Sequence, residues 1–310
     1  MSSAPLYISA EDADRVMTWQ GIVDALKASH MTPSPTIKDQ HLSMEAGGML
    51  NRTAWIPGLG VGLKTVSVFP GNPSRSTPLP TVQGLFVLFD DQDGQVKALI
   101  DGATITRWKT VADSLLGAHI LARPDSETLL LVGAGTIASQ LAQAYPQLFP
   151  SIKRILVWNR THKNAEKLAS QVGGEAVESL EEAVKQADII SSATVSVDPI
   201  LQGKWLQPGT HVDLIGAFRP DMREADDTAM QVSRIFVDSR KTTIGEIGEL
   251  IKPMASGAIT ETDVLADLYD LVRGAEGRLT SSDITLFKNG GGAHLDLMTA
   301  NYILKCCVAS

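Results

Sequence analysis

The stretch LLLVGAGTIA, from Leu129 to Ala138, runs from aliphatic residues into a glycine pair and then into small residues. Gly133-x-Gly135-x-x-Ala138, placed directly after an expected strand and opening an expected helix, is the pattern of a turn that approaches a dinucleotide. The first glycine permits a tight turn, the second lets backbone N–H groups reach a pyrophosphate, and Ala138 lets helix and strand pack closely. The helix start, with Thr136 and Ile137, adds positive partial charge for the phosphates. The next strand ends in ILVWNRTHK, where a site for an unphosphorylated ribose would carry an acid. Asn159, Arg160 and Thr161 stand there instead, and a guanidinium beside a hydroxyl suits a 2′-phosphate through charge-assisted hydrogen bonds. The expected cofactor is NADPH.

Elements able to hold such a turn follow from the texture of the chain. Ser9 before Ala10-Glu11-Asp12 reads as a helix cap with acids in the first turn, and Val16, Met17, Ile22, Val23 and Leu26 recur at roughly helical spacing. From Met49 to Leu99 short β-rich segments alternate with PGLG, PGNPSRSTPLP and DDQDG, which predicts an antiparallel sheet with hairpin turns. A helix is expected at about Thr106 to Leu121, ended by ARPDS. Beyond it TLLLVGAG, IASQLAQAY, RILVWNR, NAEKLASQV, ADIISSAT, HVDLIGA and RIFVDS alternate strand and helix, which implies a parallel sheet with helical crossovers. The fold class is therefore α/β, a Rossmann-type nucleotide domain joined to an α+β domain with a largely antiparallel sheet. The C-terminal GGGAHLDLMTANYILKCCVAS, a glycine turn and a helix, is expected to return to the N-terminal part.

Composition narrows the partners. The 310 residues carry 27 basic and 35 acidic side chains, a net charge of −8 with no basic patch, so a nucleic-acid partner has no electrostatic support. No apolar run reaches the length of a membrane span, and the acidic N-terminus lacks a leader pattern, which makes the cytoplasm the expected location. Cys306 and Cys307 are adjacent, a spacing that suits neither a staple nor a metal site. No metal is expected, since His30, His162 and His211 form no cluster spacing either. Met222, Met230 and Met254 read as packing residues.

Taken in order, GLKTVSVFPGNP, GATITRWKTVADSLLGAHILARPDSETLLLVGAG, ILVWNRTHKNAEKLA, DPILQGKWLQPGTHVDLIGAFRPDMREADD and FKNGGGAHLDLMTA resemble the ornithine cyclodeaminase/mu-crystallin family. The likeness spans nearly the whole chain, with the first 45 or so residues indistinct. It implies a homodimer, with residues 1–112 as substrate-binding and dimerisation domain, 290–310 returning to it, and 113–289 as the NADP-binding domain. It places Lys64 on the family's active-site lysine, able to bind a substrate carboxylate or give a proton. Where the family starts a helix Arg-Thr-Ala-Ala, with the arginine gripping the carboxylate, this chain has Lys109-Thr110-Val111-Ala112, a point charge in place of a fork. A second carboxylate anchor falls on Arg52, Lys38 or His41, with Arg52 favoured because Arg52, Ala54 and Ile56 share a strand face. Thr110, Thr194, Val195 and Gly291 join the expected cofactor contacts.

One departure bears on the reaction. Cyclodeaminases carry an aspartate in a GSD-P-RE setting, able to activate water, whereas this chain reads Gly216-Ala217-Phe218-Arg219-Pro220-Asp221-Met222-Arg223-Glu224. Phe218 cannot take a proton. Asp221 and Glu224 read as turn and helix-start residues. His294 is either a proton donor or a plain helix-start histidine. The segment looks like the ketimine-reductase branch, which implies NADPH-dependent reduction of Δ1-pyrroline-2-carboxylate or Δ1-piperideine-2-carboxylate to proline or pipecolate. The alternatives within the family are an alanine-dehydrogenase-like or opine-type amino acid dehydrogenase, an ornithine cyclodeaminase, and a non-enzymatic protein that retains NADPH and binds a ligand.

Overall fold

A computed structural model of the chain describes residues 4–309, which divide into two compact units, 4–112 with 292–309 and 113–291. In the first unit β1 (Leu6–Ile8) leads to α1 (Ala10–Val16) and α2 (Trp19–His30). The periodic stretch read as helical is split because Thr18 starts a new helix, its hydroxyl accepting the N–H of Gly21. Ser9 and Asp12 form a capping box at the start of α1. Strands β2 (Thr36–Met44), β3 (Gly47–Ile56), β4 (Gly60–Val68), β5 (Val82–Phe89) and β6 (Val96–Asp101) pair antiparallel in sequence, with β1 added parallel to β6. The antiparallel run thus begins at Thr36, ahead of the expected Met49. Strand β2 is an edge strand exposed along almost its whole length, so it carries no alternation of apolar residues to betray it.

Helix α3 (Gly102–Leu121) carries the boundary between the units and starts a turn earlier than expected, because Asp101 accepts the N–H of Thr104. The second unit then runs β7 (Thr128–Val132), α4 (Thr136–Leu148), β8 (Arg154–Trp158), α5 (His162–Val172), β9 (Glu175–Ala176), α6 (Leu180–Val184), β10 (Ile189–Ser192) and β11 (His211–Leu214). It continues through α7 (Asp227–Val232), β12 (Arg234–Val237), α8 (Arg240–Thr243), α9 (Gly248–Ala255), β13 (Val264–Asp267), α10 (Leu268–Val272) and β14 (Thr285–Lys288). The eight strands are all parallel, in the order β13-β12-β14-β11-β10-β7-β8-β9. Strand order reverses between β7 and β10, the place where a doubly wound sheet opens a crevice for a ligand. Leu130, Val132, Leu156, Ile190, Val212, Leu214, Val237 and Leu286 form its core. β14 lies inside the sheet although it was not expected as a strand: TLFK ends in a lysine, and a charged residue disguises a buried strand.

The chain closes with α11 (Ala293–Ala309), which packs on β3, β4 and α2 within the first unit. Its close approach depends on missing side chains. A Cβ on Gly62 would lie 2.3 Å from Phe86 Cζ and 3.2 Å from Leu297 of α11.

Candidate active site

On β4 the inward row is Gly60, Gly62, Lys64 and Val66, so Lys64 turns away from solvent and is 5% exposed. Lys109, on α3, is likewise buried. Both ammoniums meet one oxygen: Asp296 Oδ1 lies 3.2 Å from Lys64 Nζ and 3.1 Å from Lys109 Nζ. Lys64 also donates to the hydroxyl of Thr106, one turn before Lys109, and Lys109 to the carbonyl of Gly292 at 3.4 Å. Arg52 stands directly opposite Lys64 in the β3–β4 register and pairs with Asp39 at 2.7 Å.

The register also sorts the other anchor candidates. Lys38 faces Thr53, and Thr53 faces Leu63, so Lys38 lies on the opposite face of the sheet from Lys64. His41 shares the Arg52 face but is opposite Leu50.

Asp296 was missed in the sequence. Its signal was a single acid within the apolar run AHLDLMTANYILKCCVA, where α11 is otherwise buried over its first turns. Burial opposes its charge, but Lys109, Lys64 and Arg52 outweigh it and bring the carboxyl down to about 2. For Lys64 burial dominates; although Asp296 pulls the other way, the ammonium falls to about 8. His294 is buried on α11, edge-on to the ring of His30 at 6.3 Å. Burial, then the neighbouring His30 and Lys109, push it well below the usual histidine range.

In the second unit Gly133 has φ of +112°, and its N–H donates to the carbonyl of Trp158 at 2.8 Å. A Cβ there would lie 2.8 Å from the carbonyl oxygen of Ala193. Gly135 is different: as the cap residue of α4 it has ordinary extended backbone, and a Cβ would meet no protein atom within 4 Å. The fold requires the first glycine, whereas no protein atom competes for the space beside the second. The residues thus fit a dinucleotide pyrophosphate at the start of α4, with Thr136 and Ile137 in its first turn and Ala138 buried against the sheet.

A groove of about 430 Å³ runs beside this turn, between Gly135, Thr136, Ser139 and Gln140 on one side and Asn164, Lys167 and Gln171 of α5 on the other. At the end of β8, Asn159 donates to the carbonyl of Thr161 at 3.0 Å and so braces the turn. Arg160 is exposed with no ion pair among the described residues, and the Thr161 hydroxyl does not cap α5. Val195 is exposed, and Thr110 is half-buried on α3. Gly291 has φ of +69°, and its N–H donates to Asp238 at 2.6 Å. Thr194 directs both its N–H and its hydroxyl at Glu224.

Glu224 is not a helix-start residue: Asp226 caps α7, and Glu224 is fully buried. Asp221 is an exposed partner of Arg219. Phe218 is 61% exposed, its ring beneath the Arg219 guanidinium at 5.6 Å. Among the described residues no helix is long and apolar enough to cross a membrane, and no group of histidine, cysteine and acidic residues could hold a metal.

Comparison with known proteins gives the chain's relatives. A sequence model of the ornithine cyclodeaminase/mu-crystallin family matches residues 57–309. The chain is 53% identical over 310 residues to a Δ1-pyrroline-2-carboxylate reductase of Paracoccus denitrificans, covering 98% of each. Among solved structures, the Δ1-pyrroline-2-carboxylate reductase of Thermococcus litoralis in complex with NADH and L-proline is 29% identical with a TM-score of 0.88, covering 98% of each chain. An archaeal alanine dehydrogenase dimer with bound NAD is 26% identical with a TM-score of 0.89, covering 98% of this chain and 96% of that one.

The steric argument at the glycine turn makes a direct prediction. Gly133→Ala places a side chain in a backbone region that L residues rarely adopt and against the Ala193 carbonyl. The variant is expected to melt at lower temperature and to lose at least about tenfold in dinucleotide affinity, a loss of about 1.4 kcal/mol. Fluorescence titration with NADH and NADPH, beside a thermal melt, checks both.

Proposed function

The chain belongs to the ornithine cyclodeaminase/mu-crystallin family, and from that premise we propose that it reduces cyclic α-imino acids, Δ1-pyrroline-2-carboxylate or Δ1-piperideine-2-carboxylate, to proline or pipecolate with NADPH. The observation that carries this reading is the charge cluster of the first unit, in which Lys64, Lys109 and Asp296 are buried and Arg52 and Asp39 partly exposed. Three cations, Lys64, Lys109 and Arg52, face two carboxylates, Asp296 and Asp39, which leaves one positive charge for the carboxylate of a substrate.

Lys109 and Arg52 hold that carboxylate and so fix the imine carbon for attack. Lys64 gives its proton to the ring nitrogen. The N–H bond forms as the ammonium N–H breaks, and the resulting iminium carbon is electrophilic. Asp296 keeps the proton on Lys64 until that moment, and Thr106 fixes the direction of the ammonium. The nicotinamide cofactor, when bound, supplies the hydride that reduces this carbon. Gly135 and the first turn of α4 hold its pyrophosphate, and Arg160 with Thr161 holds a 2′-phosphate, which makes NADPH the preferred donor. Phe218 offers no base for water attack, so ornithine cyclodeamination is not the reaction.

Residues 1–112 with the C-terminal helix act as the substrate domain, and the nucleotide domain follows from Asp113. A homodimer fits the first unit's sheet, whose face away from Lys64 exposes Leu42, Met44, Met49 and Trp55. The second reading is an alanine-dehydrogenase-like amination of a 2-oxo acid, favoured by the likeness to the archaeal enzyme.

Three outcomes are expected. In an assay of NADPH and NADH oxidation, five- and six-membered cyclic imines turn over without added ammonia, and ornithine with oxidised cofactor releases none. Turnover of pyruvate that requires ammonia would favour the second reading. Arg160→Ala is expected to weaken NADPH by about 1.5–3 kcal/mol, the worth of hydrogen bonds to a charged group, and to leave NADH nearly unchanged. Equal losses for both remove Arg160 from the 2′-phosphate.

The pH profile follows from Lys64. The protonated form is the active one, so kcat/KM falls as pH rises through about 8. Asp296→Asn removes the attraction that holds the proton, so it moves this break to lower pH and reduces activity at pH 7. A break that stays in place in that variant rejects Lys64 as the proton source.

A further inference from the structure

Glu224 was expected to be an ordinary acid near a helix start, and its surroundings give it a different task. Its side chain is fully buried and accepts from two loops at once. Oε1 receives the Ser192 hydroxyl at 2.6 Å, the Thr194 N–H at 2.9 Å and the Thr194 hydroxyl at 2.8 Å. Oε2 receives the Gly216 N–H at 2.6 Å. Ser192 ends β10 and Thr194 follows it, while Gly216 follows β11, so a single carboxylate ties together the loops leaving two adjacent strands.

The backbone of Glu224 is itself pinned. Its N–H donates to Glu249 Oε2 at 2.8 Å, and its carbonyl accepts from Ile200 and Leu201 at 2.9 Å each. The carboxylate is therefore a fixed point, and the loops adjust to it.

Two glycines show how tightly they are drawn in. A Cβ on Gly216 would lie 1.9 Å from the Thr194 carbonyl oxygen, so only glycine lets the loops meet. On the other side, the missing Cβ of Gly133 leaves room for Ala193 O and for Thr194 Cγ2, the latter 3.5 Å from where that Cβ would be. Glu224 thus sets segment 193–194, and that segment sets the back of the dinucleotide turn, at the point where strand order reverses between β7 and β10.

We propose that Glu224 is a positioning residue for the dinucleotide: its carboxylate clamps the loops after β10 and β11 so that the segment beside Gly133 keeps the shape the cofactor requires. The inference rests on the reading of the second unit as the dinucleotide site. Glu224 does not touch the cofactor. The hydroxyl and N–H of Thr194 serve this clamp, so Thr194 contributes shape to the cofactor site and not hydrogen bonds. The clamp lies away from any 2′-phosphate contact, and NADH and NADPH should depend on it equally.

Glu224→Gln tests this at little change in size. One amide oxygen can keep the donors on one loop, but the amide nitrogen then confronts a donor on the other. The expected result is at least a tenfold rise in Kd for both NADH and NADPH, measured on folded protein, while kcat at saturating cofactor and KM for the imine change less than threefold. Thr194→Val, which deletes one donor to Glu224 together with the weaker acceptor for the Ser196 N–H, should weaken both cofactors by about threefold, and it decides the matter if the glutamine variant does not fold. Wild-type Kd values in a folded Glu224→Gln protein, or in Thr194→Val where that protein is absent, overturn the clamp and leave the dinucleotide reading standing. A wild-type protein that binds neither NADH nor NADPH overturns both. A loss confined to NADPH also rejects the clamp, because it would place Glu224's influence at the 2′-phosphate.

Discussion

A buried ammonium must be met by a buried carboxylate, and this pairing constrains both units of the protein. Taking either charge out of water alone costs several kcal/mol, so a lysine enters an apolar interior only where an acid from another element enters with it. In the first unit, Asp296 of α11 answers Lys64 of β4 and Lys109 of α3. The C-terminal helix must therefore lie against the sheet in one register. Because two ammoniums share one carboxylate, the cluster keeps a surplus of positive charge, and that surplus suits the recognition of an anionic substrate.

The second unit solves the same problem differently. Lys288, at the end of β14, is fully buried and donates to the carbonyl of Leu214 at 2.8 Å. Burial lowers it, while Glu224, Glu249 and Asp238 act in the opposite direction. Each of these acids also receives backbone N–H groups: Glu249 those of Glu224 and Ala225, and Asp238 those of Gly290 and Gly291. Burial pushes the carboxyls of Glu249 and Asp238 up to about 7. The acids of this unit shape loops, whereas the acid of the first unit sets the charge of lysines.

Glycine has three separate uses in this chain. Gly133 adopts a positive φ, Gly62 and Gly216 yield space to a neighbouring ring or backbone, and Gly135 yields space to nothing in the protein. The third case is the informative one for function, since an uncovered helix start is what a phosphate group requires. Sequence spacing alone does not separate these uses, because each residue is simply a glycine.

Much of the second unit was legible because its signals are local: a strand, a glycine turn and a helix follow one another within a few positions. The antiparallel strands from β3 to β6 were legible from their hairpin turns. What escaped were the exposed edge strand β2, which has no apolar alternation, the strand β14 ending in a lysine, and the acids Asp296 and Glu224, whose partners lie far away in the chain. By itself the sequence determined the element alternation, the dinucleotide turn and the lysines able to meet a carboxylate, because those depend on residue type and short spacing. Only the tertiary structure decided which acid meets which lysine, which face of the sheet holds Arg52 and which loops share a carboxylate, because these pairings join residues far apart in the chain and exist only once the strands are in register.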